Sequence, residues 1–405
     1  MSIGQMRVPA SGAVLGEEEK AAMRAVIDRG WITASIENAR FEQALSDFTG
    51  IANVRTCNSG SSANLLAVAA MVELGYWKPG DEIVTVAACF PTTINPLLLY
   101  GLRPVFVDIE LPTYNISIDH LKRAISHRTR GIMLAHTLGN PFNVDAVYEL
   151  ARRYWLKVVE DCCDALGAGY DYKHVGTHAD AATCSFFPAH HITTGEGGAV
   201  FSRHADVIRA VESLASWGRD CWCEPGANDT CGQRFEQQHG DLPHGYDHKS
   251  TTTRLGYNLK LTDVGAACGL AQIQRLPDFV ASRNRHFEYL RQRLDSISGA
   301  VVLPDATPYS RPSWFGFPIT VKEASVRHTL QMYLSERGVD SRLLFAGNVT
   351  RQPYMRGRKY LVASTLEVTD KVMNDCLWIG LHPALSDEQL EYAAECLRTF
   401  FGDFQ

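Results

Sequence analysis

The sequence predicts an α/β fold: a large domain built on a mostly parallel sheet, followed by a smaller C-terminal α+β domain. Between residues 52 and 187, short apolar segments alternate with amphipathic helical segments, which is typical of a parallel sheet covered by helices on both faces. The last hundred or so residues mix strands and helices without this rhythm. The 405 residues also exceed what one hydrophobic core usually fills. We therefore expect a large domain at 1–275 and a small one at 276–405.

Six short apolar segments are the predicted strands of the large sheet. They are 52–56, 83–87, 104–108, 131–135, 157–161 and 182–187. Two helices within 13–50 precede them, and helical periodicity follows at 60–74, 120–126, 145–154, 264–274 and 277–294. The segment 314–321 is the clearest strand of the small domain. Because parallel strands point their carboxyl ends at one edge, we expect the loops there to share a crevice.

Composition and charge exclude several functional classes. Charged residues at 21% and hydrophobic ones at 45% are ordinary for a soluble globular protein. The net charge of −6 indicates neither a nucleic-acid nor a membrane partner. The first residues lack the basic and apolar regions of a signal peptide, and no apolar run approaches the length of a membrane span. We expect a cytoplasmic protein.

The first informative turn, 57–63, follows the first strand and opens an alanine- and leucine-rich helix. It contains Gly60 and Ser61 between further hydroxyl residues. Free backbone N–H groups and the positive end of the helix dipole suit a phosphate at such a turn. An ordinary helix cap uses the same residues, so the turn indicates phosphate binding only in combination with other loops.

The most distinctive motif is the segment 184–200, a short strand, a polar turn bounded by glycines and a second strand. Ser185 is followed five residues later by His190, and a Gly-Glu-Gly-Gly turn comes next. In sugar-modifying enzymes that hold pyridoxal phosphate on such a loop, the position of His190 carries lysine. The sequence has no lysine between His174 and His248.

This replacement predicts a specific form of the cofactor. Without the Schiff-base amine, vitamin B6 would be held as the free amine, pyridoxamine 5′-phosphate. A neutral imidazole is well matched to moving a proton near pH 7. The spacing favours His190 over the adjacent His191 as the base, and a structural histidine pair is the alternative.

Two further residues suit a pyridine ring. Asp161, at the end of a predicted buried strand, is the candidate for the carboxylate that keeps the ring nitrogen protonated and makes the ring an electron sink. Phe90 is the candidate for stacking on the ring. Their alternatives are a turn aspartate and a core phenylalanine.

The chain contains 11 cysteines, and disulfides are disfavoured in the cytoplasm. An irregular insertion at 216–254 carries a cluster of them. Its cysteines are Cys221, Cys223 and Cys231. With Cys162 or Cys163 as a fourth ligand, they suit zinc or an iron–sulfur cluster, and the tight Cys-x-Cys spacing favours iron. Free buried cysteines are the alternative.

The position of Cys163 adds an argument about function. If the strand continues past Asp161, Asp161 and Cys163 lie on one face about 7 Å apart. A cluster held by Cys163 would then lie close to a cofactor held by Asp161, which is an arrangement for electron transfer.

These residues resemble the DegT/DnrJ/EryC1/StrS aminotransferase superfamily, and within it the CDP-4-keto-6-deoxyglucose 3-dehydratase (E1) group. The similarity runs from the opening at 8–12 to motifs at 343–348 and 350–354. The signature of the group is a cysteine, fifty-seven residues and then Cys-x-Cys-x₇-Cys, and the same spacing here selects Cys163 over Cys162.

The resemblance implies a type I PLP-dependent transferase fold, which is aspartate aminotransferase-like, and a homodimer with the active site at the subunit interface. It also implies roles for particular residues. The implied [2Fe–2S] ligands are Cys163, Cys221, Cys223 and Cys231. The implied cofactor contacts are Gly60, Ser61 and Ser185 with the phosphate, Asn258 from the neighbouring subunit, Phe90 and Asp161 with the ring, and Asp164 beside the ring hydroxyl. Asn348 and Arg351 are expected to contact the substrate. Phe187 departs from the tyrosine that the family carries.

The implied activity is the dehydration, at C3, of a nucleotide-linked 4-keto-6-deoxyhexose in deoxysugar biosynthesis, with His190 as the base. Electrons would come from a separate flavin/iron–sulfur reductase or ferredoxin. One alternative is a cluster-free 3-dehydratase of the colitose type, which recycles its cofactor with glutamate. Another is a non-catalytic relative that binds zinc. The sequence leaves open the hexose, the pathway and the nucleotide, which is CDP, TDP or GDP.

Overall fold

The computed structural model describes residues 6–221, 223 and 228–402. Its α-helices are α1 (Glu17–Arg29), α2 (Ile36–Thr49), α3 (Gly60–Glu73), α4 (Pro91–Leu99), α5 (Ile118–Ala124), α6 (Val144–Tyr154), α7 (Ala205–Ala215), α8 (Asp263–Arg293), α9 (Val326–Glu336), α10 (Glu367–Asp375) and α11 (Asp387–Gly402). No helix in the described part of the chain combines the length and the apolar character needed to cross a membrane.

The strands of the described residues form one large sheet and three smaller ones. They are β1 (Asn53–Cys57), β2 (Glu82–Val86), β3 (Arg103–Val107), β4 (Ile109–Glu110), β5 (Asn115–Ile116), β6 (Thr129–Ala135), β7 (Lys157–Asp161), β8 (Gly169–Tyr170), β9 (Lys173–His174), β10 (Ala181–Ser185), β11 (Gly198–Ser202), β12 (Val301–Val302), β13 (Ser310–Arg311), β14 (Gly316–Val321), β15 (Ser341–Arg342), β16 (Leu361–Val362) and β17 (Cys376–Gly380).

The large sheet has eight strands in the order β1-β11-β10-β7-β6-β2-β3-β16. Only β11 runs against its neighbours β1 and β10, and the other adjacent pairs are parallel. The predicted mostly parallel sheet is confirmed. The carboxyl ends of β7, β6 and β2 lie at one edge, where the loops that follow them meet.

Consecutive residues of the central strands face two different hydrophobic cores. Met133 and Val159 pack with residues of α3 and α7, whereas Ile132 and Val158 pack with residues of α6. Because side chains alternate between the faces of a strand, helices on both faces leave no polar side to the sheet. This double burial explains why these strands are continuously apolar in the sequence.

The C-terminal part folds around a second sheet, in the order β12-β14-β17-β15, with α9 and α11 packed on it. Each part nevertheless contributes a segment that pairs with the other part. Leu361 of β16 pairs with Val105 in the large sheet, and Val8, near the amino terminus, pairs with Val339 and joins the core of the C-terminal part. The division at residue 275 stays a prediction, and α8 runs through it.

Two helices were expected where the structure has the single 31-residue helix α8, with Pro277 inside it. A proline in a helix interior removes one backbone hydrogen bond and costs about 3 kcal/mol. Here α8 packs against α1 and α2 on one side of the proline, and its Phe287 and Leu290 lie in the C-terminal core on the other. Tertiary packing on both sides offsets the local cost.

Glu19 links α1 to α8 through hydrogen bonds. Its buried carboxylate accepts hydrogen bonds from the backbone N–H of Gly16 (2.6 Å), from Gln272 (2.6 Å) and from Arg275 (2.8 Å). Burial raises the pKa of Glu19, but the hydrogen bonds from Arg275 and Gln272, with those from the backbone, outweigh it and lower the pKa to about 2. The folded state therefore favours the ionised form.

The Gly131→Ala substitution tests the packing of the central strand β6. A Cβ at Gly131 would lie 2.5 Å from the ring of Trp77, which is fully buried. We expect a loss of roughly 1–3 kcal/mol in the free energy of unfolding, because the neighbouring ring must shift in a packed core. Urea unfolding measures it, with Gly299→Ala as the control because a Cβ there meets nothing within 4 Å. Equal midpoints for the two variants would contradict the packing.

The Glu19→Gln substitution tests the link between α1 and α8. The pKa is depressed in the folded state, so the stability that Glu19 contributes is present above its unfolded pKa of about 4.5 and is lost as the pH falls towards 2. We expect the variant to be less stable by about 1–3 kcal/mol near neutral pH, with a difference that shrinks in acid. Urea unfolding at several pH values measures this, with the exposed Glu18→Gln in the same turn as the control. A difference that does not vary with pH would contradict the assignment.

Candidate active site

A cavity of about 610 Å³ opens at the carboxyl ends of the central parallel strands. It brings together residues that are far apart in the sequence and that the sequence analysis had singled out. These residues are Gly60, Ser61, Phe90, Asp161, Cys163, Asp164, Ser185 and His190. Their roles stay predictions, but the structure places them around one space.

The predicted phosphate turn forms one wall of the cavity. Ser59 caps α3, and its hydroxyl accepts a hydrogen bond from the N–H of Ser62 (3.1 Å). A Cβ at Gly60 would lie 2.5 Å from the Cβ of Ser185 and 3.0 Å from the Sγ of Cys163, so only glycine allows the helix to begin this close to β10. The first N–H groups of a helix lack intrahelical partners. The turn therefore fits a phosphate group.

Asp161 ends β7 and is held by side chains from two helices. Its Oδ2 accepts hydrogen bonds from Asn64 of α3 (2.8 Å) and Thr93 of α4 (2.7 Å). Thr183 of β10 in turn donates to the Asn64 carbonyl oxygen (2.7 Å). A buried carboxylate held in a single orientation fits the protonated nitrogen of a pyridine ring. The sequence analysis missed Asn64, which lies one turn into the helix that follows the phosphate turn.

The expectation that the strand continues past Asp161 to Cys163 is wrong. The strand β7 ends at Asp161, and the N–H of Cys163 turns back to donate to Asp161 Oδ1 (3.1 Å). This hydrogen bond closes a turn instead of extending the sheet. Cys163 still lines the cavity, but it does so from the turn.

The two adjacent histidines have different environments. His190 lines the cavity, with its ring 5.3 Å from that of Phe315. Its buried Nδ1 lies 3.4 Å from Asp164 Oδ1 and has no hydrogen-bond partner in the described part of the chain. His191 is 2% exposed, and its Nε2 lies 2.8 Å from the carbonyl oxygen of Ser313. This placement favours His190 as the base and gives His191 a structural role.

Buried charges set the protonation states around His190. Burial, with the charge of Arg283, lowers the pKa of His190 to about 4. Burial, with the charge of Asp161, raises the pKa of Asp164 to about 8. Near neutral pH, the imidazole is therefore neutral and the Asp164 carboxyl is protonated. A neutral imidazole in a cavity can accept a proton.

Arg283 fixes the backbone that carries His190. Its guanidinium is 1% exposed and donates hydrogen bonds to the carbonyl oxygens of Ala189 (3.3 Å), His190 (3.2 Å) and Phe315 (3.2 Å). The sequence analysis missed it, because α8 lies a hundred residues beyond the histidine loop and nothing local signals the contact.

A buried network behind the cavity was also missed. His136 lines the cavity and stacks on Phe142, with ring centroids 4.3 Å apart. Its Nε2 lies 2.8 Å from the Glu160 carboxylate, which also accepts hydrogen bonds from Tyr148 (2.5 Å) and the N–H of Gly176 (2.6 Å). His136 directly follows the parallel strand β6, just as Asp161 ends β7, and that position at a strand end is the signal that could have found it.

Three other predicted residues do not line the cavity in the described chain. The side-chain oxygen of Asn258 accepts a hydrogen bond from Lys260 (2.6 Å). Asn348 (2.7 Å) and Arg351 (2.8 Å) both donate to the carboxylate of Asp370. Residues near the two C-terminal motifs line the mouth instead, namely Arg342, Leu343, Phe345 and Trp378.

The inserted loop gathers its cysteines away from this cavity. The sulfur atoms of Cys223 and Cys231 are 3.6 Å apart, and Cys221 lies within hydrogen-bonding distance of Cys223. Two thiolates on one tetrahedral metal, each about 2.3 Å from it, are about 3.8 Å apart. The sulfur of Cys231 is also 3.9 Å from His248 Nδ1, whose Nε2 lies 3.0 Å from Asp220. The Cys223–Cys231 pair therefore has the spacing of two ligands on one metal, whereas Cys221 contacts Cys223 without the three sulfurs all lying within 4.8 Å of one another.

Cys163 is not part of this group. Burial and the neighbouring Asp161, Cys184 and Asp164 raise the pKa of Cys163, and no loop cysteine is among these causes. Among the described residues, no set of three ligating side chains with donor atoms within 4.8 Å of one another combines Cys163 with the loop cysteines. Within the part of one chain that the structure describes, the four implied cysteines do not form such a set, and Cys163 as a ligand stays a prediction.

Comparison with known proteins gives relatives along nearly the whole chain. The lipopolysaccharide biosynthesis protein RfbH of Salmonella typhimurium is 50% identical over 405 residues, covering 98% of this chain and 93% of that protein. The dTDP-4-dehydro-2,6-dideoxy-D-glucose 3-dehydratase of Saccharopolyspora spinosa is 45% identical over 403 residues, covering 98% and 87%.

The fold is shared with solved structures of related enzymes. The GDP-4-keto-6-deoxy-D-mannose 3-dehydratase of E. coli with bound hydrated PLP superposes with a TM-score of 0.87 at 26% identity, covering 97% of this chain and 100% of that one. The predicted type I PLP-dependent transferase fold is confirmed. The family model that matches residues 13–398 is that of the DegT/DnrJ/EryC1/StrS aminotransferase family. The chain belongs to this family.

Proposed function

We propose that the protein is a 3-dehydratase that uses pyridoxamine 5′-phosphate to remove the C3 hydroxyl of a nucleotide-linked 4-keto-6-deoxyhexose in deoxysugar biosynthesis. The observation that carries the proposal is His190, a neutral imidazole at the lysine position of a cavity that also contains the phosphate turn and Asp161. The relatives named as 3-dehydratases support it. So does the solved structure of a variant of such a dehydratase with bound GDP-perosamine.

Different residues of the cavity bind different parts of the cofactor and substrate. Pyridoxamine 5′-phosphate, when bound, supplies the amine that reacts with the C4 ketone and the ring that withdraws electrons. Gly60, Ser61 and Ser185 bind the phosphate, Asp161 keeps the ring nitrogen protonated, and Phe90 covers one face of the ring. Asn258 would complete the phosphate site from a second subunit.

His190 moves the proton. Its imidazole is neutral near pH 7 because burial lowers its pKa to about 4, so it accepts a proton at a ring nitrogen and can return it to the departing C3 hydroxyl. The Asp164 carboxyl lies 3.4 Å from Nδ1. With no lysine at this position, the cofactor amine is not tied to the chain and is free for the substrate.

The proposal also includes electron transfer through an iron–sulfur cluster, which is its redox half. The loop thiols of Cys221, Cys223 and Cys231 would hold a [2Fe–2S] cluster, and the spacing signature implies Cys163 as the fourth ligand. The electron donor would be a flavin/iron–sulfur reductase or a ferredoxin, and the working unit a homodimer. The contacts of Cys223 with Cys231 and with Cys221 support the cluster.

A second candidate is a cluster-free dehydratase that recycles its cofactor with glutamate. A related 3-dehydratase solved with a trapped PLP-glutamate geminal diamine favours it. Such an enzyme has no use for the four-cysteine signature, which is what separates the two candidates. A non-catalytic zinc protein would not need to keep Asp161, Ser185 and the phosphate turn around one cavity.

The His190→Asn substitution tests the base. We expect the rate of C3 dehydration to fall by about 10²–10⁴-fold, because the proton acceptor is lost, while pyridoxamine 5′-phosphate still binds. Single-turnover loss of the C3 hydroxyl and cofactor binding by fluorescence measure the two effects. His191→Asn is the matched control and should lower stability with little change in rate per folded enzyme. Dehydration at the wild-type rate in His190→Asn would refute the assignment.

Metal analysis separates the two candidate functions. We expect about two irons and two acid-labile sulfides per chain in anaerobically purified protein, with visible absorption that bleaches on reduction by dithionite. Zinc, or no metal, would refute the redox half and leave the glutamate-recycled dehydratase.

A further inference from the structure

The four cysteines of the spacing signature lie in two separate places in one chain. The thiols of Cys221, Cys223 and Cys231 are in the inserted loop, each of intermediate exposure. Cys163 lines the cavity beside Asp161. A site with three thiolates in one chain is one ligand short of four-coordinate iron or zinc.

The inserted loop leaves the body of the protein as a two-stranded ribbon. The ribbon starts next to the phosphate turn, where the N–H of Asn58 donates to the carbonyl oxygen of Leu259 (2.8 Å). Antiparallel bridges then join Ser216 to Asn258 and Arg219 to Thr252. Three residues of extended chain span about 10 Å, so the ribbon separates the cysteine loop from the phosphate turn of its own chain, and the described loop cysteines do not line that cavity.

The ribbon exposes large apolar side chains. Leu255 is 91% exposed, Trp217 43%, Phe235 55% and Tyr246 41%. These residues flank the cysteine loop in the sequence and have no apolar cover in the described part of the chain. A surface of this kind around half-exposed metal ligands indicates a partner.

We propose that the metal centre is completed between two copies of the chain. The three loop thiolates of one subunit bind the metal together with Cys163 of the partner subunit. The inference rests on the proposed function only in that a metal centre exists, and it concerns which chain supplies each ligand. The partner is a second copy because the missing ligand is one that every copy already carries at the mouth of its cavity.

Two-fold symmetry makes the exchange self-consistent. In a C₂ pair, a contact from the loop of the first subunit to the cavity of the second is repeated in reverse. One kind of contact therefore yields two complete sites and covers the apolar ribbon of both copies. It also brings each metal centre next to a cofactor cavity, so the chain that holds the cofactor is not the one that supplies most of the ligands.

Hybrid dimers test the proposal without any measurement of activity. One chain carries Cys163→Ser with an intact loop, and the other carries Cys223→Ser with Cys163 intact. The two chains are co-expressed with different affinity tags, and the mixed dimer is isolated anaerobically. If ligands are exchanged, one of its two sites is complete and we expect about half the iron and sulfide of the wild-type dimer. If all ligands come from one chain, neither site is complete and the iron is lost.

A second hybrid reverses the expectation and covers the case in which a variant folds poorly. Here a wild-type chain is paired with one that carries both Cys163→Ser and Cys223→Ser. If ligands are exchanged, both sites of this hybrid lack a cysteine and the iron should be lost. If each site lies within one chain, the wild-type chain keeps its site and half of the iron remains. Iron in this second hybrid and not in the first would overturn the proposal.

Two controls separate the remaining outcomes. The Cys163→Ser homodimer should lose its iron, and full iron content there would overturn the proposal and leave His248, 3.9 Å from Cys231, as the nearest donor in the chain. Wild-type protein that binds zinc with the same hybrid pattern would support ligand exchange while refuting the redox half of the proposed function. A wild-type protein that is monomeric with full metal content would also overturn the exchange.

Discussion

The Asp161 carboxylate is the constraint on which the site depends. It is a buried anion at the end of a parallel strand, and a buried carboxylate is costly unless donors surround it. The donors come from the helices after two other strands, Asn64 in α3 and Thr93 in α4. Holding this one charge therefore fixes the relative positions of the phosphate turn, the Phe90 loop and β7. The same elements form the walls of the cavity.

The charges near His190 and Asp164 determine which protonation states the cavity favours. Arg283 is buried beneath the histidine loop, and its positive charge acts with burial to lower the pKa of His190. The negative charge of Asp161 acts with burial to raise the pKa of Asp164. The two effects leave a neutral base beside a neutral acid in the middle of the physiological pH range. Such a pair can exchange a proton with a substrate without creating a buried, unpaired charge.

The four cysteines of the spacing signature lie on two elements that are fixed separately. The turn that carries Cys163 is fixed by its hydrogen bond to Asp161, and the ribbon that carries the loop thiols is fixed by its pairing at 216–219. Neither can move towards the other without breaking these contacts. This separation of Cys163 from the loop thiols is the basis of the proposed exchange of ligands between two chains.

The sequence by itself predicted the sheet, because strands buried on both faces must be continuously apolar, and the missing lysine was the local signal for the chemistry proposed for the histidine loop. It also located Asp161 and the phosphate turn, whose signals are local. The spacing already favoured His190 over His191, and the tertiary structure added that His190 lines the cavity beside Phe315 whereas His191 is buried against Ser313. The tertiary structure likewise joined the two expected helices into one through Pro277 and added β16 to the edge of the large sheet. It also placed Arg283 and Glu160 behind the site. These features depend on contacts between residues distant in the chain, and no local pattern of residues encodes them.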